Sequence, residues 1–348
     1  MTQKNPYTIS FGKIPTKYLS RNFIIDSICE QFRSDDPDEQ AFKLTGIRGT
    51  GKTVTLTAIE RNLQDDENWI IVGLRSDSEV ITELVARLYS SVPLITDFVD
   101  VNLNLSAFGI GVNVSKKSPV ASISYALEVL LKEIKKRGKR LLITIDEAHK
   151  TKGMIDFIQE FQILIRKELP LFVVVAGLYE DIEALENTDG MTFFLRATKY
   201  EMTPLNMTYI REDYKKTLNV SFEEAEKMAF MTKGYAYAYQ TLGKYMWDEK
   251  AKSLTPDVLR AFDNVLSEKV YRKIWSELAP KDKWFLKFIA SKDSMSASQL
   301  LEETKATHSE WSVPRRRLSE KGIIDVGTRG VISLRLPRFK EFIDSYGE

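Results

Sequence analysis

The stretch LTGIRGTGKT at residues 44–53 decides the fold class of this chain. Its spacing is G-x-x-x-x-G-K-T, filled by Gly46, Gly51, Lys52 and Thr53. The apolar run before it, AFKLT at 41–45, predicts a strand, and the residues from about 53 to 63 have helical periodicity. A strand that turns through glycines into a helix is the context in which this spacing is informative. The stretch therefore predicts a strand–loop–helix unit.

Short β-branched runs alternate with amphipathic stretches up to about residue 203. Strands are predicted at 41–45, 69–74, 141–145, 171–176 and 199–202. Helical patterns separate them at about 53–63, 78–91, 121–137 and 154–167. Strand runs that are apolar throughout indicate a sheet covered on both faces, which is the parallel α/β arrangement. The predicted fold class is α/β, with a five-stranded parallel sheet.

One stretch interrupts this alternation. Residues 99–115, VDVNLNLSAFGIGVNVS, have apolar side chains at a period of two, with Gly109 and Gly111 in the middle. This pattern predicts a β-hairpin inserted between two helices. Two roles stay open: an edge hairpin with no special role, or a contact element for a neighbouring subunit or for DNA.

The remaining chain has a different organisation. Residues 206–270 are helical in pattern throughout, and three further helices are predicted at 284–293, 297–305 and 313–322. A two-stranded ribbon at 322–337 and a terminal helix follow, which is the winged-helix order. We predict three domains, at 1–205, 206–270 and 271–348.

Composition excludes several classes of protein. The 348 residues carry 50 Lys and Arg against 49 Asp and Glu, so the chain is no polycation that coats nucleic acid or lipid. A single cysteine, Cys29, excludes a disulfide scaffold, and two histidines, His149 and His308, argue against a histidine-rich metal site. No secretory signal and no apolar run of membrane-spanning length is present. We expect a cytoplasmic protein that does not enter a membrane.

The residues at 44–53 have the chemistry of a phosphate-binding loop. Its glycines let successive backbone N–H groups point at phosphates, and the following helix N-terminus adds partial positive charge. Lys52 would bridge the β- and γ-phosphates of ATP, and the Thr53 hydroxyl would bind Mg²⁺. The predicted nucleotide-binding residues are Gly46, Arg48, Gly49, Thr50, Gly51, Lys52, Thr53 and Val54.

A second motif, LLITIDEAHK at 141–150, ends a buried strand in two acids. Asp146 is predicted to hold Mg²⁺, directly or through water, and Glu147 to orient and deprotonate the attacking water. The alternative is a pair of exposed acids after a strand. The letters DEAH at 146–149 do not indicate a helicase, because only one phosphate loop and one α/β unit are present. His149 is interpreted as a helix-start residue near the site.

Several segments occur in an order that resembles a known family: FGKIPTKYLSR, GIRGTGKTVTL, IDEAH, VVVAGL, FFLRA and GYAYAYQTLGKYMW. They are similar to bacterial AAA-type ATPases related to the origin-recognition initiators and to the archaeal-ATPase/STAND branches of the P-loop superfamily. The resemblance covers essentially the whole chain, including VPRRRLSEKGII, which resembles that group's C-terminal winged helix. It implies Walker A roles for Lys52 and Thr53 and Walker B roles for Asp146 and Glu147.

The resemblance also implies a catalytic role for Arg196, between the predicted fourth and fifth strands. In oligomeric ATPases an arginine here faces the γ-phosphate of the next subunit. The alternative is a surface salt bridge. Arg48 and Arg21 are weaker candidates for this role.

Two departures from the family pattern stand out. Gly177 and Leu178 follow the fourth strand, where many members place a polar sensor, and the lid segment GYAYAYQ at 234–240 has no arginine. These departures favour slow hydrolysis in a protein that acts mainly as a switch. Tyr237 or Gln240 could contact the nucleotide instead, or both could pack the lid.

Residues 305–340 contain nine basic and three acidic side chains, a net charge of about +6. The predicted DNA-contacting residues are Arg315, Arg316, Arg317 and Arg329, on the recognition helix and at the tip of the wing. Pro314 predicts a recognition helix that begins near Ser312, with His308 and Trp311 in the preceding turn, and hence weak sequence specificity. The alternative is a winged helix that contacts proteins while its arginines stay solvated.

Three hypotheses follow. The first is an oligomerising ATPase, a homo-oligomer, that uses ATP and Mg²⁺ to control how a C-terminal winged helix engages double-stranded DNA. The second is a STAND-like signalling or defence NTPase that acts on an unknown protein partner and touches no DNA. The third is a protein whose ATP is structural and hardly turned over.

Overall fold

The computed structural model describes residues 4–10, 15–16, 18–77, 79–91, 104–110, 122–292, 294–327 and 330–346. The chain divides into two compact units. The α/β unit contains Arg21–Thr45 and Lys52–Glu201, and the helical unit contains Met1–Ser20, Gly46–Gly51 and Met202–Glu348. Among the described residues, no helix has the length and apolar character that a bilayer span requires.

The α/β unit alternates strands with helices. Its strands are β1 (Ala41–Thr45), β2 (Trp69–Arg75), β3 (Arg140–Asp146), β4 (Leu171–Gly177) and β5 (Thr198–Glu201). Its helices are α1 (Asn22–Arg33), α2 (Lys52–Gln64), α3 (Val80–Ser91), α4 (Ile123–Lys136), α5 (Lys152–Ile165), α6 (Tyr179–Glu186) and α7 (Thr192–Arg196). The strands form one parallel sheet in the order β2-β3-β4-β1-β5. The predicted α/β class and five-stranded parallel sheet are confirmed.

The central strands are apolar because helices cover both faces of the sheet. Every residue of β4 is buried, and β3 is buried from Leu141 to Ile145. Helix α4 turns one apolar stripe inward, and its N-terminus is capped by Ser122, whose Oγ accepts a hydrogen bond from the Tyr125 amide. Burial of these stripes positions the carboxyl ends of the strands, where the predicted acids lie.

The predicted hairpin at 99–115 lies mostly outside the described residues. Within 104–110, Ser106–Phe108 form a 3₁₀ turn that ends at Gly109 in the left-handed region, with φ of +71°. Leu105 and Ile110 are buried in the core of the α/β unit. Strand geometry is thus absent from the part of this stretch that the structure describes.

The helical unit follows β5. It contains α8 (Met207–Leu218), α9 (Phe222–Thr232), α10 (Ala236–Asp248), α11 (Pro256–Leu266), a π-helical turn at Ser267–Tyr271 and α12 (Arg272–Ser276). The N-terminal segment belongs here, since the Tyr7 hydroxyl donates to Asp213 Oδ2 at 2.7 Å and its ring packs against Tyr239 and Gly243. The predicted first domain, 1–205, instead includes these N-terminal residues with the α/β part of the chain.

The C-terminal elements share a core with these helices. They are α13 (Pro280–Ser291), β6 (Ser294–Ser296), α14 (Ala297–Thr304), α15 (His308–Glu320), β7 (Ile324–Val326), β8 (Val331–Leu334) and α16 (Phe339–Tyr346). The strands form an antiparallel sheet in the order β6-β8-β7, so the ribbon gains a third strand that the sequence pattern did not indicate. Strand β6, at three residues, is too short to show a periodicity.

The predicted start of α15 near Ser312 is wrong. The helix begins at His308, and Pro314 lies inside it. Thr307 and Glu310 form a capping box, in which the Glu310 amide donates to Thr307 Oγ1 and the Thr307 amide donates to Glu310 Oε2. This cap, together with burial of Pro314 and Trp311, outweighs the hydrogen bond that the proline removes.

Candidate functional site

The loop between β1 and α2 has a backbone that requires glycine. Gly49 and Gly51 have φ of +79° and +96°, in the left-handed region that side chains disfavour. A Cβ on Gly49 would lie 2.2 Å from the Tyr235 hydroxyl, so no side chain fits there. The Thr50 hydroxyl donates to the Ile47 carbonyl at 2.9 Å and closes the turn.

The N-terminus of α10 holds the same loop. The Tyr235 hydroxyl donates to the Arg48 carbonyl, and the Tyr237 amide donates to the Gly49 carbonyl at 3.0 Å. Arg48 forms an ion pair with Glu277 at 3.4 Å. Because two loop carbonyls are engaged in this way, the orientations of their peptide planes are fixed.

Tyr237 and Gln240, the two lid residues that could contact the nucleotide, both take part in packing. Tyr237 uses its backbone amide on the loop, and its ring lies against the core of the helical unit. Gln240 is buried, and its Oε1 accepts a hydrogen bond from the Thr8 amide at 3.1 Å. These contacts support the packing role that the sequence analysis left open.

Lys52 and Thr53 form the first turn of α2, and the N-terminus of a helix favours an anion through its partial positive charge. The Thr53 hydroxyl donates to Asp146 Oδ2 at 2.6 Å, so the structure brings the two predicted Mg²⁺ ligands together. A hydroxyl and a carboxylate are hard oxygen donors, and Mg²⁺ bound to a nucleotide commonly uses one or two protein ligands beside phosphates and water. The donor set therefore fits Mg²⁺. Val54 is the next residue of the helix.

Glu147 follows directly and has a strained backbone. Its φ is +50°, which is uncommon for a residue with a side chain. Its amide donates to Asp146 Oδ1 at 2.9 Å, and its carbonyl accepts from the Ser76 hydroxyl at 3.0 Å. Its side chain is exposed, with the backbone fixed on both sides.

His149 supports this turn rather than starting a helix, so that interpretation is wrong. Helix α5 begins at Lys152, after an N-cap at Thr151. His149 Nδ1 lies 3.0 Å from the Glu147 carbonyl oxygen and 2.9 Å from Ser76 Oγ. The sequence predicts no role for Ser76, because a lone serine after a strand carries no distinguishing pattern.

Gly177 explains the missing polar sensor. It ends β4, and a Cβ there would lie 2.7 Å from the Ala148 carbonyl oxygen and 2.9 Å from the Ile182 side chain. The Ala148 amide donates to the Ala176 carbonyl at 2.8 Å, which draws the two segments together. Close approach of the backbone after the two acids thus leaves no room for a sensor side chain.

Arg196 is the last residue of α7, and its side chain is exposed. Among the residues that the structure describes, it has no ion-pair partner, so the salt-bridge alternative finds no support there. Leu195 beside it is 55% exposed. Arg21, one of the two weaker candidates, is the N-cap residue of α1, and burial lowers the pKa of its guanidinium.

The arginines of α15 differ from one another. Arg315 and Arg316 are exposed, and Arg316 lies 3.8 Å from Glu320. Arg317 turns inward and forms two hydrogen bonds with Asp282, of 2.7 and 2.5 Å, and Asp282 is fully buried. Arg317 therefore holds α15 to α13, and Arg329 lies outside the described residues.

The capping box makes α15 sensitive to acid. Hydrogen bonds from Thr307, together with Lys281, lower the pKa of Glu310 to about 2. Because its ordinary value is 4.5, the ionised cap stabilises the fold fully above that pH, and its contribution is lost as the pH falls towards 2. We expect Glu310→Gln, which can still form the box, to flatten the decline of thermal stability over this pH range. An unchanged decline in the melting temperature would contradict this role.

Comparisons with known proteins agree with this architecture. Residues 36–185 match the AAA domain family. A second family model, described as Domain of unknown function (DUF8462), matches residues 268–343. A search of curated proteins finds no significant match.

Solved structures share the fold at low sequence identity. The Walker-type ATPase of Pyrococcus abyssi is 12% identical over 92% of this chain and 95% of that chain, with a TM-score of 0.60. The ORC2 protein of Aeropyrum pernix, in ADPNP–ADP complexes, is 12% identical over 97% and 96%, with a TM-score of 0.61. Cdc6p from Pyrobaculum aerophilum is 16% identical over 97% and 96%, with a TM-score of 0.51. The α/β unit thus has the P-loop NTPase fold.

Proposed function

We propose that the chain hydrolyses ATP with Mg²⁺ and acts as an oligomeric switch whose nucleotide state controls binding to double-stranded DNA. The observation that carries this proposal is the 2.6 Å hydrogen bond between Thr53 and Asp146, next to the exposed Glu147. Mg²⁺ bound there would neutralise charge on the β- and γ-phosphates. The AAA-domain match over 36–185 supports the same chemistry.

The protein residues have separate roles in this proposal. Loop amides and the α2 N-terminus bind the phosphates, and Lys52 reaches the β- and γ-phosphate oxygens. Glu147 orients the attacking water and accepts its proton as the water oxygen bonds to the γ-phosphorus. The bond from that phosphorus to the β–γ bridging oxygen breaks, which releases ADP and inorganic phosphate. Its fixed backbone limits the positions that its carboxylate can reach, which supports a role in aligning water.

Oligomerisation is supported by Arg196 and Leu195 at the end of α7. An exposed arginine with no described partner is available to the nucleotide of a neighbouring subunit, where it would stabilise charge in the transition state. Leu195 beside it is 55% exposed and would be covered by that neighbour. We infer a homo-oligomer whose active sites are completed in trans.

DNA binding is supported by the exposed face of α15. Ser309, Ser312, Val313 and Arg316 recur at helical spacing on one face and are exposed, with Arg315 adjacent. Because α15 begins at His308, it is a full turn longer than predicted, and its first turns can reach base edges in a major groove. Arg315 and Arg316 would add phosphate or guanine contacts.

The test measures ATP hydrolysis with and without duplex DNA, together with DNA affinity over a range of salt concentrations. Arg315→Ala/Arg316→Ala should lower affinity about tenfold or more and reduce the slope of log affinity against log salt by about 2. Lys227→Ala/Arg260→Ala removes the same charge from exposed positions of α9 and α11. This variant should leave the DNA affinity and its salt dependence unchanged. Equal effects of the two double variants would contradict an interface on α15.

Two observations favour the STAND-like alternative. Arg317 is engaged with Asp282, and Val313 on the exposed face is 54% accessible, which suits a protein partner as well as DNA. Measurable basal turnover without stimulation by DNA, and with no salt-dependent DNA binding, would favour this alternative. Nucleotide that stays bound without turnover would favour the structural role for ATP.

A further inference from the structure

A charged side chain is buried on β1, an interior strand of the parallel sheet. Lys43 of β1 is 1% exposed. Its Nζ donates to Glu186 Oε1 at 2.7 Å, to the Phe194 carbonyl at 2.5 Å and to the Leu195 carbonyl at 3.3 Å. The three N–H groups of the ammonium thus have three acceptors. Burial lowers the pKa of Lys43, and the hydrogen bond to Glu186 opposes that shift.

Two of these acceptors belong to the C-terminal end of α7. Carbonyls at a helix C-terminus lack partners within the helix and carry partial negative charge, so a buried ammonium stabilises them. The Leu195 carbonyl and the Arg196 amide share one planar peptide group. By holding the Leu195 oxygen, Lys43 fixes the point from which the Arg196 side chain leaves the backbone.

The chain after Arg196 is anchored as well. The Glu39 carboxylate accepts hydrogen bonds from the Thr198 amide at 3.2 Å and from the Thr198 hydroxyl at 2.6 Å. Arg196 therefore lies between two polar anchors, while its own side chain is exposed. A rigid backbone with an outward guanidinium is the geometry that delivery to another subunit requires.

We propose that Lys43 is a positioning residue for Arg196. It is a buried support that sets the end of α7, and it rests on the proposed role of Arg196 at a neighbouring subunit's ATP. An apolar side chain would serve packing in a sheet core at least as well as a buried ion pair. The position of the ammonium, with two of its three hydrogen bonds on the peptide groups just before Arg196, indicates a role in geometry.

The first experiment compares steady-state ATP hydrolysis of full-length variants. Lys43→Met should lower kcat about tenfold or more, with KM for ATP nearly unchanged, because displacing a catalytic group by about 1 Å can cost a hundredfold. Lys199→Met is the matched control: Lys199 pairs with the same Glu186 at 3.2 Å but is 35% exposed and makes no described contact with the α7 carbonyls. Its kcat should match that of the parent chain.

A neutral double variant addresses folding. Lys43→Met alone leaves Glu186 buried without its closest partner, whereas Lys43→Met/Glu186→Gln removes both charges. The double variant should melt near the parent temperature and still show the lowered kcat. A kcat equal to that of the parent chain in this folded variant would overturn the proposal.

Mixing experiments separate positioning from damage to the variant's own site. A Lys52→Ala chain binds ATP too weakly to hydrolyse it at its own site, but it retains Lys43 and Arg196. Mixed with Lys43→Met, it should restore turnover, because it supplies a correctly placed Arg196 to the intact site of the other chain. Mixed with Lys43→Met, an Arg196→Ala chain should not restore it. Failure of the first mixture would assign Lys43 to its own subunit's fold and overturn the proposal.

Arg196→Ala is the reference variant, because its turnover tests the role of Arg196 separately from that of Lys43. Normal turnover in Arg196→Ala would overturn the role of Arg196 in trans, and the proposal for Lys43 with it. Lowered turnover in Arg196→Ala beside normal turnover in Lys43→Met would overturn the proposal for Lys43 alone. A combined Lys43→Met/Arg196→Ala variant should be no slower than Arg196→Ala, since both changes remove one interaction.

Discussion

Glu147→Gln is expected to bind ATP as tightly as the parent chain and to hydrolyse it at least about a hundredfold more slowly, the typical contribution of a general base. The amide has almost the same shape as the carboxylate but cannot accept the proton from water. The backbone contacts of Glu147 with Asp146 and Ser76 use its amide and carbonyl groups, so they survive the substitution. Single-turnover hydrolysis and equilibrium binding of a fluorescent ATP analogue measure the two quantities.

Glu30→Gln is the matched control for this variant. Glu30 is exposed on α1 of the same unit, so the substitution removes one acidic charge away from the site. It should change neither binding nor turnover. Hydrolysis by Glu147→Gln at the parent rate would remove Glu147 from the mechanism and move the role of base to another group.

Lys52→Ala is expected to weaken ATP binding by about a hundredfold or more. Charge-assisted hydrogen bonds to phosphate are among the strongest single interactions in a protein, and alanine removes them all. ATP should therefore raise the melting temperature of the parent chain and leave that of Lys52→Ala almost unchanged. Isothermal titration calorimetry gives the loss of affinity directly.

Lys132→Ala provides the comparison for Lys52→Ala. Lys132 lies on α4, is 60% exposed and pairs only with Glu128 at 2.7 Å among the described residues. The Lys132→Ala variant should therefore bind ATP normally. ATP binding by Lys52→Ala at parent affinity would show that the loop at 46–53 is not the nucleotide site.

The fold of the α/β unit could be predicted because its signals are local. Apolar runs such as LLITI and LFVVVA indicate strands covered on both faces, and helical periodicity between them forces parallel connections. The end of such a strand is where ligands bind, so Asp146 and Glu147 could be proposed before their positions were known. The hydrogen bond from Thr53 to Asp146 agrees with that reasoning.

The three consecutive arginines of α15 have different surroundings, which the local sequence does not distinguish. Successive helical residues point about 100° apart, so three in a row cannot share one face. Periodicity alone did not identify the residue that turns inward, because its partner, the buried Asp282, lies 35 positions away in the chain. Pro314 by itself predicts a later start for α15, whereas the capping box of Thr307 and Glu310 begins the helix at His308.

The sequence by itself determined the parallel α/β class, the phosphate-loop spacing and the pair of acids, since each depends on neighbours within a few residues. Tertiary structure alone decided which side chains support them. Ser76 lies against the turn at Glu147, Tyr235 against the loop at Arg48, and Lys43 against the Leu195 carbonyl, just before Arg196. These pairs are separated by 71 to 187 positions. Contacts of that range come from packing of the whole chain, which no short window of sequence encodes.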